Sequence, residues 1–280
     1  MKKHLSTFLL ALALVLGLFL LLYPTVSEQW NKKHQTQAIV SYTEAVSVLN
    51  KDSYDEIWQA AYDYNASLLQ RKNRYLLSAE QKERYEKLLD IGGNGIMGYV
   101  EIPAIDVALP LYHGTEESVL QIAAGHLEWT SLPVGGEGSH CVLSGHRGLP
   151  SARLFSDLDE LVVGDVFMLR VLDEVLSYEV DKIMIVKPED TGELFIKEGE
   201  DLCTLVTCTP YGINSHRILV RGHRIENRTE AEQVLITADA ERIDPNLVAP
   251  MLAAPMLLLV YAFMLLPRRG RNRRSYEAEE

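Results

Sequence analysis

Two long apolar runs stand near the two ends of the chain, at residues 5–22 and 247–266. Neither run contains a charged side chain, and each is close to the roughly 20 residues that a helix needs to cross a bilayer. We therefore predict two transmembrane helices. A cleaved signal peptide is the alternative for the first run, which is longer than a signal core and is followed by no small-residue cleavage site. A buried core helix is the alternative for the second run, and it would leave the arginines that follow unexplained.

Basic residues flank the outer end of each apolar run. Lys2 and Lys3 precede the first run, and a cluster of arginines within residues 268–274 follows the second. Because positively charged flanks stay on the cytoplasmic side, this pattern predicts that both termini are cytoplasmic and that the segment between the runs lies outside the cell. The predicted location is therefore the cell membrane, with two spans.

Between the two runs the hydrophobic period changes once. From about residue 35 to residue 90, apolar positions recur every three or four residues, which predicts helices, and Ser78 with Gln81 forms a capping box. After the glycine-rich residues 92–95, short runs rich in Val, Ile, Tyr and Thr predict strands at 99–102, 107–111, 141–144, 166–171, 175–186, 202–208 and 218–225. Short strands at this spacing are typical of a sandwich or a closed barrel.

Composition and cysteine content narrow the function. The chain has 280 residues, 47% of them hydrophobic, and a formal net charge of −12, which argues against a nucleic-acid partner. Its three cysteines cannot all pair within one chain, and no spacing of Cys and His matches a zinc site. We therefore expect no disulfide framework, no metal site and no cofactor, and at least one free thiol.

The candidate nucleophile is Cys208, at the end of a predicted strand. Strand alternation places Cys208 and Val206 on one face and Cys203 on the other, so Cys203 is expected in the core, as is Cys141. An inert buried thiol is the ordinary alternative for any cysteine. A cysteine nucleophile acts as a thiolate, and it needs a histidine and a donor for the charge that develops on the attacked carbonyl.

His146 and Arg217 are the candidate partners. His146 lies between glycines directly after the predicted strand 141–144, and Arg217 begins the strand that follows Cys208. If those two strands are antiparallel neighbours, Arg217 and Cys208 face each other at one end of the sheet. A turn histidine and a surface arginine are the structural alternatives, and His126 and His216 are alternative acid–base groups.

At these residues the chain resembles the sortases, cysteine transpeptidases of Gram-positive cell surfaces. The segments that carry the resemblance are TLVTCTPYGINSHRILVRGHR (residues 204–224) and VLSGHRGLP (residues 142–150). The segments GIMGYVEIP, GHLEWTSLPVGG and TCTPYGINSHR resemble class C, the pilin-polymerising sortases. The similarity extends over residues 95–224.

The resemblance implies a fold and a set of roles. The fold would be mainly β, an eight-stranded sortase-type barrel with an N-terminal helical extension and two transmembrane helices. Cys208 would be the nucleophile, His146 the general acid and base, and Arg217 the oxyanion donor or substrate clamp. Thr207 and Thr209 would shape the substrate groove, with strand propensity alone as their alternative explanation.

The resemblance also implies substrates. An LPxTG-like sorting signal would be cleaved between Thr and Gly and joined to a lysine of a pilin subunit. The alternatives are attachment of surface proteins to the cell-wall precursor, hydrolysis with water as acceptor, and a catalytically idle binding or scaffolding module.

The predicted organisation has six segments. They are an N-terminal membrane anchor (1–27), a helical extension (28–91), the catalytic barrel (92–228), a juxtamembrane linker (229–246), a C-terminal transmembrane helix (247–267) and a basic cytoplasmic tail (268–280). Class C sortases commonly carry an Asp-Pro-aromatic lid in the extension, and no Asp-Pro pair occurs upstream of residue 95. We therefore expect an uncovered nucleophile, with a non-standard lid around Tyr75 as the alternative.

Overall fold

The computed structural model describes residues 2–71, 75–227 and Tyr261. The described residues belong to two compact units, with residues 2–26 and Tyr261 in one and residues 27–227 in the other. The predicted linker, the basic tail and, apart from Tyr261, the predicted second transmembrane helix lie outside the described residues.

The first helix, α1 (Lys2–Ser47), contains the first apolar run. Within it the segment Leu9–Ser47 includes an 18-residue window of mean hydropathy 2.5, which is long and apolar enough to cross a membrane. Among the described residues this is the single helix with that property. Its insertion into a membrane stays a prediction.

Eight strands close into a mixed barrel, as the resemblance implied. In chain order they are β1 (Ile96–Ile102), β2 (Val107–His113), β3 (Ala124–His126), β4 (Ser139–Ser144), β5 (Val166–Val171), β6 (Glu174–Val186), β7 (Asp201–Thr209) and β8 (His216–Ile225). Around the barrel their order is β1, β2, β3, β4, β7, β8, β6, β5. The β2–β3 and β4–β7 pairs are parallel, and the other pairs are antiparallel.

The strand ends differ from the sequence prediction by up to three residues, and one strand was not predicted. β3 is absent from the predicted strands because three residues are too few to show an alternating pattern. β1 begins three residues earlier than predicted and runs through Gly98, where a Cβ atom would lie 2.4 Å from the carbonyl oxygen of Arg170 on β5. Glycine thus lets the two strands approach closely, although it has low strand propensity.

Three further helices belong to the second unit. They are α2 (Lys51–Leu69), α3 (Ala79–Lys87) and the short α4 (Glu117–Leu120). The capping box predicted at the start of α3 is confirmed, because the Gln81 amide donates to Ser78 Oγ (3.2 Å) and the Ser78 amide donates to Gln81 Oε1 (2.9 Å).

The helical extension and the barrel share one hydrophobic core. Tyr64 and Leu68 of α2 and Tyr85 of α3 are fully buried in the same cluster as the inward-facing residues of the strands. Asn65 Oδ1 accepts from the Leu132 amide (2.7 Å), and its Nδ2 donates to the Leu132 carbonyl (3.1 Å). The extension is therefore needed to complete the core of the barrel.

The two faces of β7 have different surroundings. Cys203 and Leu205 belong to the barrel core, whereas Val206 packs on the outer face with Val142, Leu194 and Leu219. We refer to these four outer residues as the outer cluster. This division confirms the predicted alternation, and it places Cys208 on the same face of β7 as Val206.

Candidate active site

Cys208 lies one residue before the end of β7, directly opposite Arg217 at the start of β8. All three cysteines lie in the described part of the chain; Cys141 and Cys203 are buried, as predicted, and Cys208 is partly exposed. Burial raises the pKa of the Cys203 thiol well above its usual value, which keeps that thiol protonated. Cys208 is therefore the thiol best placed to meet a substrate.

His146 follows β4. Because β4 and β7 are parallel, their C-terminal ends lie at the same edge of the barrel. The residue before His146 is fixed to β7, because the Gly145 amide donates to the Val206 carbonyl (3.1 Å) and Thr207 Oγ1 donates to the Gly145 carbonyl (2.7 Å). At Gly145 a Cβ atom would lie 2.6 Å from the Phe155 ring, so glycine is required for this close fit.

Arg147, on the other side of His146, makes a second connection to β7. Its Nη1 donates to Thr209 Oγ1 (3.2 Å), and its Nη2 donates to Asp159 Oδ2 (2.5 Å). The side chain is 9% exposed, and the guanidinium carbon lies 6.0 Å from the centre of the Tyr211 ring. The residues on both sides of His146 therefore bond to the residues on both sides of Cys208.

Thr207 and Thr209, predicted to shape the substrate groove, are bonded to the segment on either side of His146. Both are buried, and both hydroxyls contact the segment that carries His146. They position the histidine relative to the cysteine, and a direct contact with substrate stays a prediction.

The imidazole of His146 has a partner that the sequence did not suggest. Its Nε2 lies 3.2 Å from Oε2 of Glu117, the first residue of α4. A hydrogen bond from Gln121 and then the contact with His146 lower the pKa of the Glu117 carboxyl. Nothing in the sequence distinguishes this glutamate from the other acidic residues. Only the fold brings it to His146.

Arg217 is oriented by its own loop. Its Nη1 donates to the carbonyls of Asn214 (3.2 Å) and His216 (3.0 Å). Within residues 2–71 and 75–227, no hydrogen bond joins Cys208 to His146 or to Arg217. Catalytic hydrogen bonds are often long in the absence of substrate, so this geometry is compatible with the predicted roles.

The structure separates the two alternative histidines. His126 is fully buried, with Nδ1 against the Tyr85 hydroxyl (2.9 Å) and Nε2 against the Ser131 carbonyl (2.8 Å). Both ring nitrogens are thus engaged inside the core. His216 is partly exposed on β8 opposite Thr209, so it lies at the same end of the sheet as Cys208.

Tyr75, the residue considered for a non-standard lid, lies beside the outer cluster. Its ring centre is 4.9 Å from that of Trp129, which packs on the outer cluster, and 6.0 Å from that of Phe195. Its hydroxyl is 3.0 Å from Thr191 Oγ1. Tyr75 therefore covers part of the face that carries Cys208, and the contacts described for it do not include the thiol.

The fold and the site together define a class of protein. A closed mixed barrel brings a partly exposed cysteine, a histidine loop and an arginine to one edge, which is the arrangement of a cysteine-dependent acyl-transfer enzyme.

Comparisons with known proteins identify the family. The sortase domain model matches residues 100–225. The structure is similar to that of sortase C1 from Streptococcus agalactiae, with a TM-score of 0.67 and 48% identity over 69% of this chain and 100% of that chain. It is also similar to sortase C of Streptococcus pneumoniae, with a TM-score of 0.63 and 47% identity over 69% of this chain and 98% of that chain. The chain belongs to the sortase family, whose members are cysteine transpeptidases.

Curated relatives are more distant in sequence. Sortase D of Bacillus subtilis is 31% identical over 131 residues, which are 46% of this chain and 63% of the relative. Sortase A of Bacillus anthracis is 32% identical over 136 residues, which are 48% of this chain and 62% of the relative. The chain thus spans less than two thirds of the length of these two relatives.

Proposed function

We propose that this chain is a sortase transpeptidase that cleaves an LPxTG-like sorting signal between Thr and Gly and transfers the acyl group to an amine. One observation carries the proposal. Residues on both sides of His146 are bonded to residues on both sides of Cys208, and Arg217 lies opposite Cys208. Such an arrangement holds a nucleophile, an acid–base group and a cation at one edge of a rigid barrel.

In the proposed reaction Cys208 attacks the carbonyl carbon of the threonine. Arg217 donates hydrogen bonds to the oxyanion or to the substrate carbonyl. As the Thr–Gly bond breaks, His146 gives a proton to the glycine amine that leaves, and a thioester to Cys208 remains. An incoming amine then loses a proton to His146, attacks the thioester and releases the thiol.

The proposed acceptor is a lysine of a pilin subunit. Support comes from the solved neighbours, which are sortases C; the Streptococcus pneumoniae enzyme was described for its pilin substrate specificity, and one Streptococcus agalactiae enzyme belongs to pilus island 1. Attachment to the cell-wall precursor is the alternative, and it differs only in the amine that resolves the thioester.

The proposed location is the cell membrane, with the catalytic barrel on the outer side and both termini in the cytoplasm. The apolar part of α1 would be the first anchor, and residues 247–267 the second. Residues 28–91 would then connect the first anchor to the barrel domain at residues 92–228. Cysteine accessibility from each side of the membrane would test this topology.

The full chain in detergent, incubated with a fluorescent LPxTG-type peptide, tests the activity. We expect a covalent adduct on Cys208 and, when a lysine-containing pilin peptide is added, an amide product in place of the free acid. If the product stays the free acid when amines are added, the protein is a cysteine protease. If no covalent adduct forms, the barrel is a catalytically inactive binding or scaffolding module. An amide formed with a cell-wall-precursor amine but not with pilin lysine would favour wall anchoring.

A further inference from the structure

The carboxylate of Glu117 is held in one orientation at the edge of the site. Its Oε1 accepts from Gln121 Nε2 at 3.1 Å, and its Oε2 faces His146 Nε2 at 3.2 Å. The Gln121 amide also donates to the Glu117 carbonyl at 3.1 Å, so two bonds link these residues. The two carboxylate oxygens therefore have different partners. The hydrogen bond from Gln121 to Oε1 orients Oε2 toward the histidine.

The segment that carries Glu117 is itself attached to the helical extension. Gln35 of α1 donates from Nε2 to the Ile122 carbonyl at 2.8 Å, and Lys82 of α3 pairs with Glu116 at 3.4 Å. These contacts hold α4 on both sides of Glu117. The position of the carboxylate is thus set by α1 and α3, and not by the loop that carries His146.

The Glu117 contact decides which nitrogen of His146 is available. A carboxylate only accepts hydrogen bonds, so Nε2 must carry the proton that lies between the two groups. In the neutral ring the lone pair is then on Nδ1, and Nδ1 is the atom that takes up a proton. In the charged ring the carboxylate lies next to the cation and stabilises it.

The neighbouring guanidinium of Arg147 does not cancel the stabilisation that Glu117 gives to the charged imidazole. Arg147 is adjacent to His146 in sequence, but its guanidinium is bonded to Asp159 and Thr209. Among the described residues, Glu117 is the anion that contacts the imidazole.

We propose that Glu117 is a positioning residue for His146, which it holds in the Nε2–H tautomer, and that it stabilises the imidazolium formed when Cys208 transfers its proton. This proposal rests on the proposed transpeptidase function. It involves no new covalent step, since one proton moves from the Cys208 thiol to His146 Nδ1 and later to the leaving amine.

Three variants of the full chain in detergent separate charge from hydrogen bonding. Glu117→Gln keeps an acceptor and removes the charge, whereas Glu117→Ala removes both. Glu83→Gln is the matched control, because it neutralises an exposed carboxylate on α3 that pairs with Lys87 and not with α4 or His146. The measurements are kcat and KM with an LPxTG-type peptide and amine, the alkylation rate of Cys208 by iodoacetamide, and the ¹⁵N imidazole signals of His146.

We expect Glu117→Ala to lower kcat and the alkylation rate on the order of tenfold at neutral pH, since a partly exposed ion pair is screened by solvent. The KM should stay unchanged, and the ¹⁵N signals should show loss of the single Nε2–H tautomer. Glu117→Gln should keep the tautomer and lose part of the rate. Glu83→Gln should match the unmodified protein in all three measurements.

The experiment distinguishes failure of the proposed function from failure of the role proposed for Glu117. If the unmodified protein gives no Cys208-dependent product, the proposed function fails. If it is active while Glu117→Ala keeps the same kcat and the same tautomer signals, the role of Glu117 is overturned and the proposed function stands.

Discussion

Cys208 and Arg217 are directly opposite each other in the antiparallel pair of β7 and β8. They occupy the next-to-last pair before the loop that joins the two strands. Because side chains of directly opposite residues lie on the same face of a sheet, the guanidinium and the thiol share one surface. The loop carbonyls of Asn214 and His216 already accept from Arg217, so its donors are held at this end of the sheet.

Replacement of Arg217 should impair catalysis far more than folding. We expect Arg217→Ala to lower kcat/KM on the order of a hundredfold, which is typical for loss of one oxyanion donor. Arg217→Lys should restore little of it, because an ammonium group cannot reproduce a planar two-pronged donor. Steady-state kinetics with an LPxTG-type peptide and an amine acceptor measure both variants.

The matched control is Arg224→Lys, a substitution of the same kind farther along β8. Arg224 is the register partner of Tyr178 on β6, and its guanidinium lies 5.7 Å from the centre of that ring. This variant should keep normal turnover. Normal turnover in a folded Arg217→Ala variant would remove Arg217 from the mechanism.

Only one of the three cysteines should be essential. Cys208→Ala should abolish both peptide cleavage and the covalent adduct, because the other two thiols are enclosed in the core. Cys203→Ala and Cys141→Ala should keep activity, with a modest loss of stability from the small cavities that they leave. Mass spectrometry of the trapped adduct checks this prediction, and an adduct on Cys141 or Cys203 would contradict it.

Arg147 should matter for the alignment of the site. Arg147→Ala removes both the hydrogen bond to Thr209 and the pair with Asp159, so we expect a loss of about 1–3 kcal/mol in stability and a lower kcat. Thermal unfolding and single-turnover acylation are the two measurements.

Arg170→Lys serves as the control for Arg147→Ala, since Arg170 forms a comparable pair with Glu101 at 2.8 Å on the β1–β5 side of the barrel. It should leave acylation unchanged. Equal acylation rates in the Arg147→Ala variant and this control would show that the connection to Thr209 is dispensable.

The outer face of the β4–β7 pair, which carries the outer cluster, should be sensitive to acid. Burial lowers the pKa of His140, whose ring contacts the Phe195 carbonyl (3.0 Å) and Thr204 Oγ1 (2.7 Å). The unfolded chain therefore binds a proton more readily than the folded one, so stability falls as the pH drops below about 6.5. Melting temperatures at pH 7.5 and 5.5 should differ less in His140→Gln than in the unmodified protein; an equal difference would exclude His140 as the cause.

The sequence predicted the parts of the site that depend on strand alternation and chain order. The opposition of Cys208 and Arg217 followed from one assumption about two consecutive strands, and the structure has that pairing. The core positions of Cys141 and Cys203 followed from the same alternation. These features are local, so a single chain carries enough information to predict them.

Contacts between distant segments were not predictable in this way. The pairing of β4 with β7 joins segments about 60 residues apart, and it alone explains why Thr207 and Thr209 bond to the histidine loop. The contact between Glu117 and His146 depends on where α4 packs, and the hydrophobic pattern of the sequence does not predict that position. The burial of His126 likewise depends on Tyr85 of the helical extension.

The final prediction concerns access to Cys208. The extension has no Asp-Pro-aromatic element, and Tyr75 contacts Trp129, Phe195 and Thr191. A lid that kept the site closed would lower the apparent reactivity of the thiol by the fraction of time that it is open. We therefore expect Tyr75→Ala to leave the alkylation rate of Cys208 within about twofold of the unmodified protein.

A point substitution is the right test of the lid, because truncation of the extension would remove Tyr64, Leu68 and Tyr85 from the core. Tyr62→Ala, at another half-exposed tyrosine of the extension, is the control for general loosening. If Tyr75→Ala accelerates alkylation more than roughly tenfold while Tyr62→Ala does not, Tyr75 covers the nucleophile and the uncovered-site prediction is wrong. Equal rates in all three proteins would leave the extension a structural role, since its aromatic side chains complete the barrel core on which β7 depends.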